Sequence, residues 1–341
     1  MKSIRIKLLV LVVFVFVTLL AGCTRSIASP SSPQDDYPNK PITIIVPFSP
    51  GGSVDRMARG VASFMQQKLN VAVVVENLEG SGGMVGHTLF LATEPDGYTF
   101  LIASEPPYIT SNILLSGASF KLEDFDFINA QWSDEIAFLT HKDNPYKTLG
   151  DLVDTIKANP GTIAMGVTMG SSGHVAGFAL LDVLGIKDMV NIVTYDGGGP
   201  LRTALLGKHV DFSPVQMEGS DVIADSMTGL ALWSNTPSTN KLWSDMPLLN
   251  DELKKFGYDV EMPIVSGSCR TLVALPAFKE KYPQRYSLFV DAYKSMLEDD
   301  DAINWFKNAG MPTDWKGPEE TTKLVYDNHE VFSRYYDLLN R

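Results

Sequence analysis

The chain has 341 residues, 45% of them apolar and 20% charged, which suits about two globular domains. A formal net charge of −12 argues against nucleic-acid binding, which needs a basic face to neutralise phosphates. Two cysteines exclude a disulfide scaffold and a zinc site of the four-cysteine type.

Lys2, Arg5 and Lys7 precede an uncharged stretch from Leu8 to Gly22, too short for a bilayer-spanning helix but of signal-peptide length. Leu20-Ala21-Gly22-Cys23 resembles the bacterial lipobox, which implies cleavage before Cys23 and acylation of its thiol. An ordinary signal peptide and a permanent N-terminal anchor are the plainer alternatives. The expected order is a lipoprotein signal peptide over 1–22 and a Ser- and Pro-rich tether over 23–36. Cys269 is then the one remaining thiol, expected to be a small buried apolar residue. An exported, lipid-anchored protein has no supply of ATP or nicotinamide, so no cofactor is expected.

Ile42 to Val46 is a continuous β-branched run, the pattern of a buried parallel strand. It ends in Pro47-Phe48-Ser49-Pro50-Gly51-Gly52, with Ser53 placed to cap a helix running to Leu69. Val71 to Val75, a turn over Asn77 to Gly83 and a helix with Met84, Val85, Leu89 and Leu91 repeat the pattern. A third strand spans Tyr98 to Ala103, and Glu105 to Ile113 reads as a crossing to a second domain. There the pattern returns in Thr162 to Val167, the turn Thr168 to Gly173 and a helix from His174 to Leu184. Asn191 to Thr194 leads into Tyr195-Asp196-Gly197-Gly198-Gly199, with Pro200 near a helix start, and Val210 to Phe212 follows. Ala231 to Pro247 reads as the return crossing, followed by Leu248 to Phe256 and a strand near Val260. The remainder is helical: Ala277 to Leu297, Ala302 to Asn308 and Pro318 to Leu339. Strands alternating with helices define an α/β fold with mostly parallel sheets. The expected division is 37–105 with 245–341 as lobe 1 and 106–244 inserted as lobe 2.

Ligands of such sheets lie outside the carboxyl ends of the strands, where the glycine turns fall. Backbone N–H groups and helix N-termini there form an anion site without Lys or Arg. Ser53, Ser81, Ser171 and Ser172 add hydroxyl donors at that level. The plainer reading is that these turns only close βα connections. No P-loop, third-glycine dinucleotide motif, nucleophile elbow or HExxH is present. Ser171 or Ser172 with His174 is too close on a helix start to work as nucleophile and base, so His174 reads as a pocket or helix-start residue, or as a packed neutral histidine. Non-enzymatic binding is the expectation.

Lys40-Pro41-Ile42 followed by Val46-Pro47-Phe48-Ser49-Pro50-Gly51-Gly52 and Asp55 closely resembles the opening of the receptors of tripartite tricarboxylate transporters, the Bug or TctC family. Val75-Glu76-Asn77 with Gly80, Gly82, Gly83 and Gly86, then Pro95-Asp96-Gly97-Tyr98-Thr99, Gly170 to Gly177, Tyr195 to Pro200 and Leu206 to Asp211 resemble later motifs of that family, in order. The resemblance implies a two-lobed, type II-like periplasmic-binding-protein fold that closes on a small organic carboxylate and delivers it to a membrane permease. A monomer with no nucleic-acid partner is expected. By position the implied ligand-binding residues are Phe48, Gly51, Gly52, Ser53, Gly82, Gly83, Ser104, Ser171, Ser172, His174, Tyr195 and Gly197.

Three sites depart from the family pattern: Leu78-Glu79 where Arg-Pro is usual, Asp196 in place of Lys, and Glu105 after the third strand. Each removes a cation or adds an acid near the expected mouth. Glu105 and Asp196 therefore join the candidate ligand-binding residues, and the expected ligand is a monocarboxylate or carries an amine. The opposing reading has these acids in solvent, with Arg270 or another cation compensating. An exported lipoprotein that reports to a sensor partner, or an exported hydrolase, are the alternative functions.

Overall fold

The run Ile42–Val46 forms β1, an interior strand buried along nearly its whole length in the computed structural model, which describes residues 36–339 except 196, 218, 239 and 264–266. The signal-peptide and Cys23 readings and the Asp196 reading lie outside the described residues, as does all but the end of the tether. The folded unit begins at Pro38. β1 pairs in parallel with β2 (Val73–Asn77) and β3 (Thr99–Glu105). β2 begins two residues later than its β-branched run suggests, because Asn70 ends the preceding helix in the left-handed region and Val71 and Ala72 complete the turn. It is an edge strand with Val74 about half exposed, not a buried one.

Between them α1 (Ser53–Leu69) buries Val54, Met57, Ala58, Val61 and Met65, an i, i+3, i+4 stripe laid on the sheet. Gly82 and Gly83 lead into α2 (Met84–Leu91). The segment after β3, expected to cross to the second lobe, is instead α3 (Tyr108–Leu114), which packs back on the first sheet. β4 (Asp126–Ser133), which the sequence reading assigned to the second lobe, also belongs to the first sheet. The chain leaves that sheet only at Asp134-Glu135 and enters β5 (Ile136–His141).

The second sheet continues through α4 (Leu149–Ala158), β6 (Ile163–Thr168), α5 (Ser172–Val183), β7 (Val190–Tyr195), α6 (Gly198–Leu206), β8 (Phe212–Gln216), β9 (Met227–Trp233) and α7 (Leu249–Lys255). No strand forms near Val260, because the Asn250 side chain takes both the N–H and the C=O of Met262, at 2.8 and 2.9 Å. β10 (Cys269–Ala274) returns to the first sheet, followed by α8 (Pro276–Lys281), α9 (Pro283–Leu297), α10 (Asp300–Asn308) and α11 (Gly317–Leu339). Pro283 divides what reads as one helix into α8 and α9, since the residue before a proline avoids the helical region.

The sheet orders are β2-β1-β3-β10-β4 and β7-β6-β8-β5-β9. Each sheet has a parallel half, built by the βα units, and an antiparallel half where the crossing strands lie. Cys269 is a buried free thiol, its pKa pushed up by burial.

α11 belongs to both lobes. Leu324 and Val325 pack in the core of the first, while Phe332 and Tyr336 pack in the core of the second. The Tyr336 hydroxyl lies 3.2 Å from the carbonyls of both Pro107 and Gly170, one on each lobe. Among the described residues no helix is long and apolar enough to cross a membrane.

Candidate functional site

The turn after β1 is held by two polar side chains, the half-buried Asn77 and the buried Asp55. Asn77 donates to the Phe48 carbonyl and to Asp55 Oδ1, both at 2.9 Å. Asp55 Oδ2 accepts from Gly51 N–H at 2.8 Å and from Arg59 Nε at 3.0 Å. Burial pushes the Asp55 carboxyl up, but the hydrogen bonds from Arg59, Gly51 and Asn77 outweigh it and hold the pKa below the usual range. Gly52, not Ser53, is the N-cap of α1, and Ser53 turns its Oγ to the Arg270 guanidinium at 3.1 Å. The next turn runs through four consecutive positive φ values, 140° at Gly80, 49° at Ser81, 60° at Gly82 and 90° at Gly83. Three of those four places need glycine to avoid strain. The N–H groups of Ser81 and Gly82 open this 3-10 turn with no acceptor inside it.

On the second lobe Ser171 caps α5, its Oγ accepting from His174 N–H at 3.2 Å. His174 Nδ1 accepts from Gly170 N–H at 3.2 Å, and its ring packs edge-on to Phe178. His174 is thus the packed neutral histidine of the two readings, shaping the turn from behind. Burial lowers its pKa to about 4 from an ordinary 6.5. The unfolded chain takes up a proton on this ring below about 6.5, whereas the folded ring stays neutral down to about 4. Stability should therefore fall as pH drops through that window, by about 3 kcal/mol at full extent. Urea midpoints at pH 7 and pH 4.5 should converge for His174→Asn relative to wild type. An equal acid loss in both proteins would sink this assignment.

Between the lobes lies a cavity of about 450 Å³. Of the predicted residues Phe48, Gly82, Gly83 and Tyr195 line it. Phe48 and Tyr108 meet edge to face with centroids 4.9 Å apart. Opposite them stand Thr168, Met169 and Gly170. Gly170, at φ 72°, comes so near α3 that a Cβ there would sit 3.0 Å from Ser111 Oγ. Gly51 and Gly52 shape the turn beside the cavity, and Gly197 precedes α6 as its N-cap in extended geometry that any residue adopts.

Several predicted residues lie elsewhere. Glu105 is almost wholly buried and does not line the cavity. Its Oε1 lies 2.5 Å from His87 Nε2, and its Oε2 accepts from Ile109 N–H at 2.9 Å at the start of α3. A carboxylate in that surrounding anchors a helix and is not available to a ligand. Ser104 is buried on β3 as the cross-strand partner of Arg270. Ser172 is also buried, 3.3 Å from Ser268 Oγ and accepting from Gln216 Nε2 at 3.3 Å. Arg270 does not compensate the acids at the mouth. It is buried beneath the cleft, with NH1 and NH2 each 3.3 Å from Asp134 Oδ2.

Tyr108, Ser111 and Asn112 line the cavity although the sequence reading took their segment for a crossing. Burial raises the Tyr108 pKa; Arg270 opposes this and Glu105 adds to it. The signal available in advance was the helical spacing of Ile109, Ile113 and Leu114, although Tyr108, Ile109, Thr110 and Ile113 are otherwise strand-favouring residue types.

Two lobes, each a mixed sheet flanked by helices, with a cavity between their turns, define a periplasmic-binding-protein fold. Solved structures agree. BugD aligns with a TM-score of 0.69 at 24% identity, over 89% of this chain and 98% of its own. An R. palustris protein solved with adipate aligns at 0.71 and 20%, over 89% and 97%, and MatC of Rhodopseudomonas palustris with bound malate at 0.68 and 19%, over 89% and 99%. Among curated proteins, BugT of Bordetella pertussis is 33% identical over 64% of this chain and 67% of its own length. A UPF0065 protein of Agrobacterium vitis, encoded in the TAR-I ttuE-ttuC' intergenic region, is 35% identical over 53% of this chain and 52% of its own. These matches therefore span between about half and two thirds of the relatives they reach. The family model described as tripartite tricarboxylate transporter family receptor matches residues 57–284, and the chain belongs to that family.

Proposed function

We propose that this chain is an extracytoplasmic receptor that binds a small organic carboxylate between its lobes and delivers it to a membrane permease without catalysis. The observation that carries the reading is the interlobe cavity, lined from one side by the turns at Phe48 and at Gly80 to Gly83 and from the other by Thr168 to Gly170 and Tyr195. Family membership supports it, as do the carboxylates named with two proteins of the same fold. The lobes are then 38–133 with 268–316, and 136–263, joined at Asp134-Glu135 and before Ser268, with α11 packed on both. The reading includes export and a lipid anchor at Cys23, a monomeric receptor and no cofactor.

A thermal-shift screen of the protein from Thr24 onward, against mono-, di- and tricarboxylates, amino acids and aromatic acids, tests it. A true ligand at about 100 times its Kd should add about 2.7 kcal/mol, a readily seen rise in Tm. No rise with any organic acid, on protein first unfolded and refolded to free it of bound solute, would overturn the receptor reading.

A further inference from the structure

We propose that the cavity selects an ammonium-bearing monocarboxylate, with Glu79 as the residue that sets this preference; the inference rests on the receptor reading above. Among the described residues lining the cavity Glu79 is the one charged side chain, and none of them is Lys or Arg. It is hydrogen-bonded to Ser49, another lining residue, so the two turns of the first lobe meet at this carboxylate.

The nearby cations are committed within the protein. Arg270 directs its Nε and NH2 to Ser53 Oγ at 3.3 and 3.1 Å, and its NH1 to the Ser268 carbonyl at 3.1 Å. Its NH1 and NH2 also reach Asp134, which accounts for all five guanidinium N–H groups. Arg59 is held by Asp55 and Asn77 on the outer side of the first turn.

One carboxylate can be met by neutral donors. The Ser81 and Gly82 N–H groups are open within their turn, and the Ser81 and Thr168 hydroxyls lie on facing walls. A second carboxylate would find no cation and would meet Glu79 as a like charge. An ammonium group instead gains an ionic partner in Glu79 and aromatic neighbours in Phe48, Tyr108 and Tyr195. Met169 adds an adaptable apolar wall for the rest of the ligand.

Calorimetric titration against two sets of probes separates the possibilities. One set is the standard amino acids other than aspartate and glutamate, with 4-aminobutanoate; the other is the dicarboxylates from malonate to suberate with citrate, aspartate and glutamate. The tightest binder should come from the first set, and Glu79→Gln should weaken it about tenfold, or about 1.4 kcal/mol. In the matched pair of 4-aminobutanoate and glutarate, the same substitution should narrow the gap in affinity. Because Glu79 is exposed, an unchanged Tm for ligand-free Glu79→Gln shows that the fold is intact. A tightest binder from the second set, or an unchanged preference in Glu79→Gln, overturns the inference and leaves the receptor reading standing. Binding by neither set overturns the inference too, and failure of the broad acid screen would identify the receptor reading as the cause.

Discussion

Arg270→Met is expected to destabilise the protein by about 3–5 kcal/mol, because it leaves the Asp134 carboxylate buried without its cation. Both side chains of the pair are nearly inaccessible, 2% and 4% exposed. The guanidinium stacks on the Trp132 ring at 4.5 Å, so methionine keeps much of the packing while losing the charge and the donors. The pair joins β10 to the crossing segment at Asp134 and, through Ser53, to the start of α1. Its loss therefore acts on the point where the chain passes between lobes. Urea unfolding of the single variants and of Arg270→Met with Asp134→Asn forms a double-mutant cycle. The double variant should recover a large part of the loss, since the uncompensated charge is gone. A single-variant loss below about 1 kcal/mol would show that water reaches Asp134 and that the pair is not buried in solution.

The parallel strands β1, β2, β3, β6 and β7 were legible because an apolar run followed by a glycine turn or a helical stripe needs only local information, whereas β8 begins at Phe212, where the expected run from Val210 ends. β4 shows why the antiparallel halves were not legible. Its buried face carries Asn129 and Gln131, residue types that argue against a core strand. Their partners lie far along the chain: Asn129 donates to the Asp314 carbonyl and accepts from Lys316 and Gly317 N–H, while Gln131 donates to Pro312 and accepts from Tyr293. Polarity in a strand marks surface unless such partners exist, and no local pattern announces them.

Glu105 misled for the same reason. An acid after a strand in a ligand-facing turn reads as part of the mouth, but His87 and the first turn of α3 enclose it. The turns themselves were placed correctly in chain order. What sequence could not supply was which side of each turn faces the cavity: Gly170 does, whereas Ser171 and His174 hold it from behind.

Gly173→Ala should be the most damaging single methyl addition in the second lobe. Gly173 lies in the first turn of α5, and an added Cβ would stand 2.2 Å from the carbonyl oxygen of Pro214 on β8. That neighbour is backbone within a central strand of the sheet, so relief requires α5 to move away. Gly177, one turn on, also abuts Pro214, with an added Cβ 2.9 Å from its ring. The helix thus rests on the strand along a line of glycines and cannot slide to make room. A loss of about 3 kcal/mol is expected, the upper end of ordinary overpacking costs. Gly199→Ala is the matched control, since nothing lies within 4 Å of an added Cβ there and its φ is not in the left-handed region. It should change stability by less than about 0.5 kcal/mol. The consequence for function follows from the same geometry. The N-terminus of α5 carries the turn Thr168 to Gly170 into the cavity, and Gly170 already approaches Ser111 of the first lobe closely. An α5 displaced from β8 moves that wall, so Gly173→Ala should weaken ligand binding beyond what its lower Tm explains. Full affinity in the fraction that remains folded would show that the turn keeps its place independently of the helix behind it.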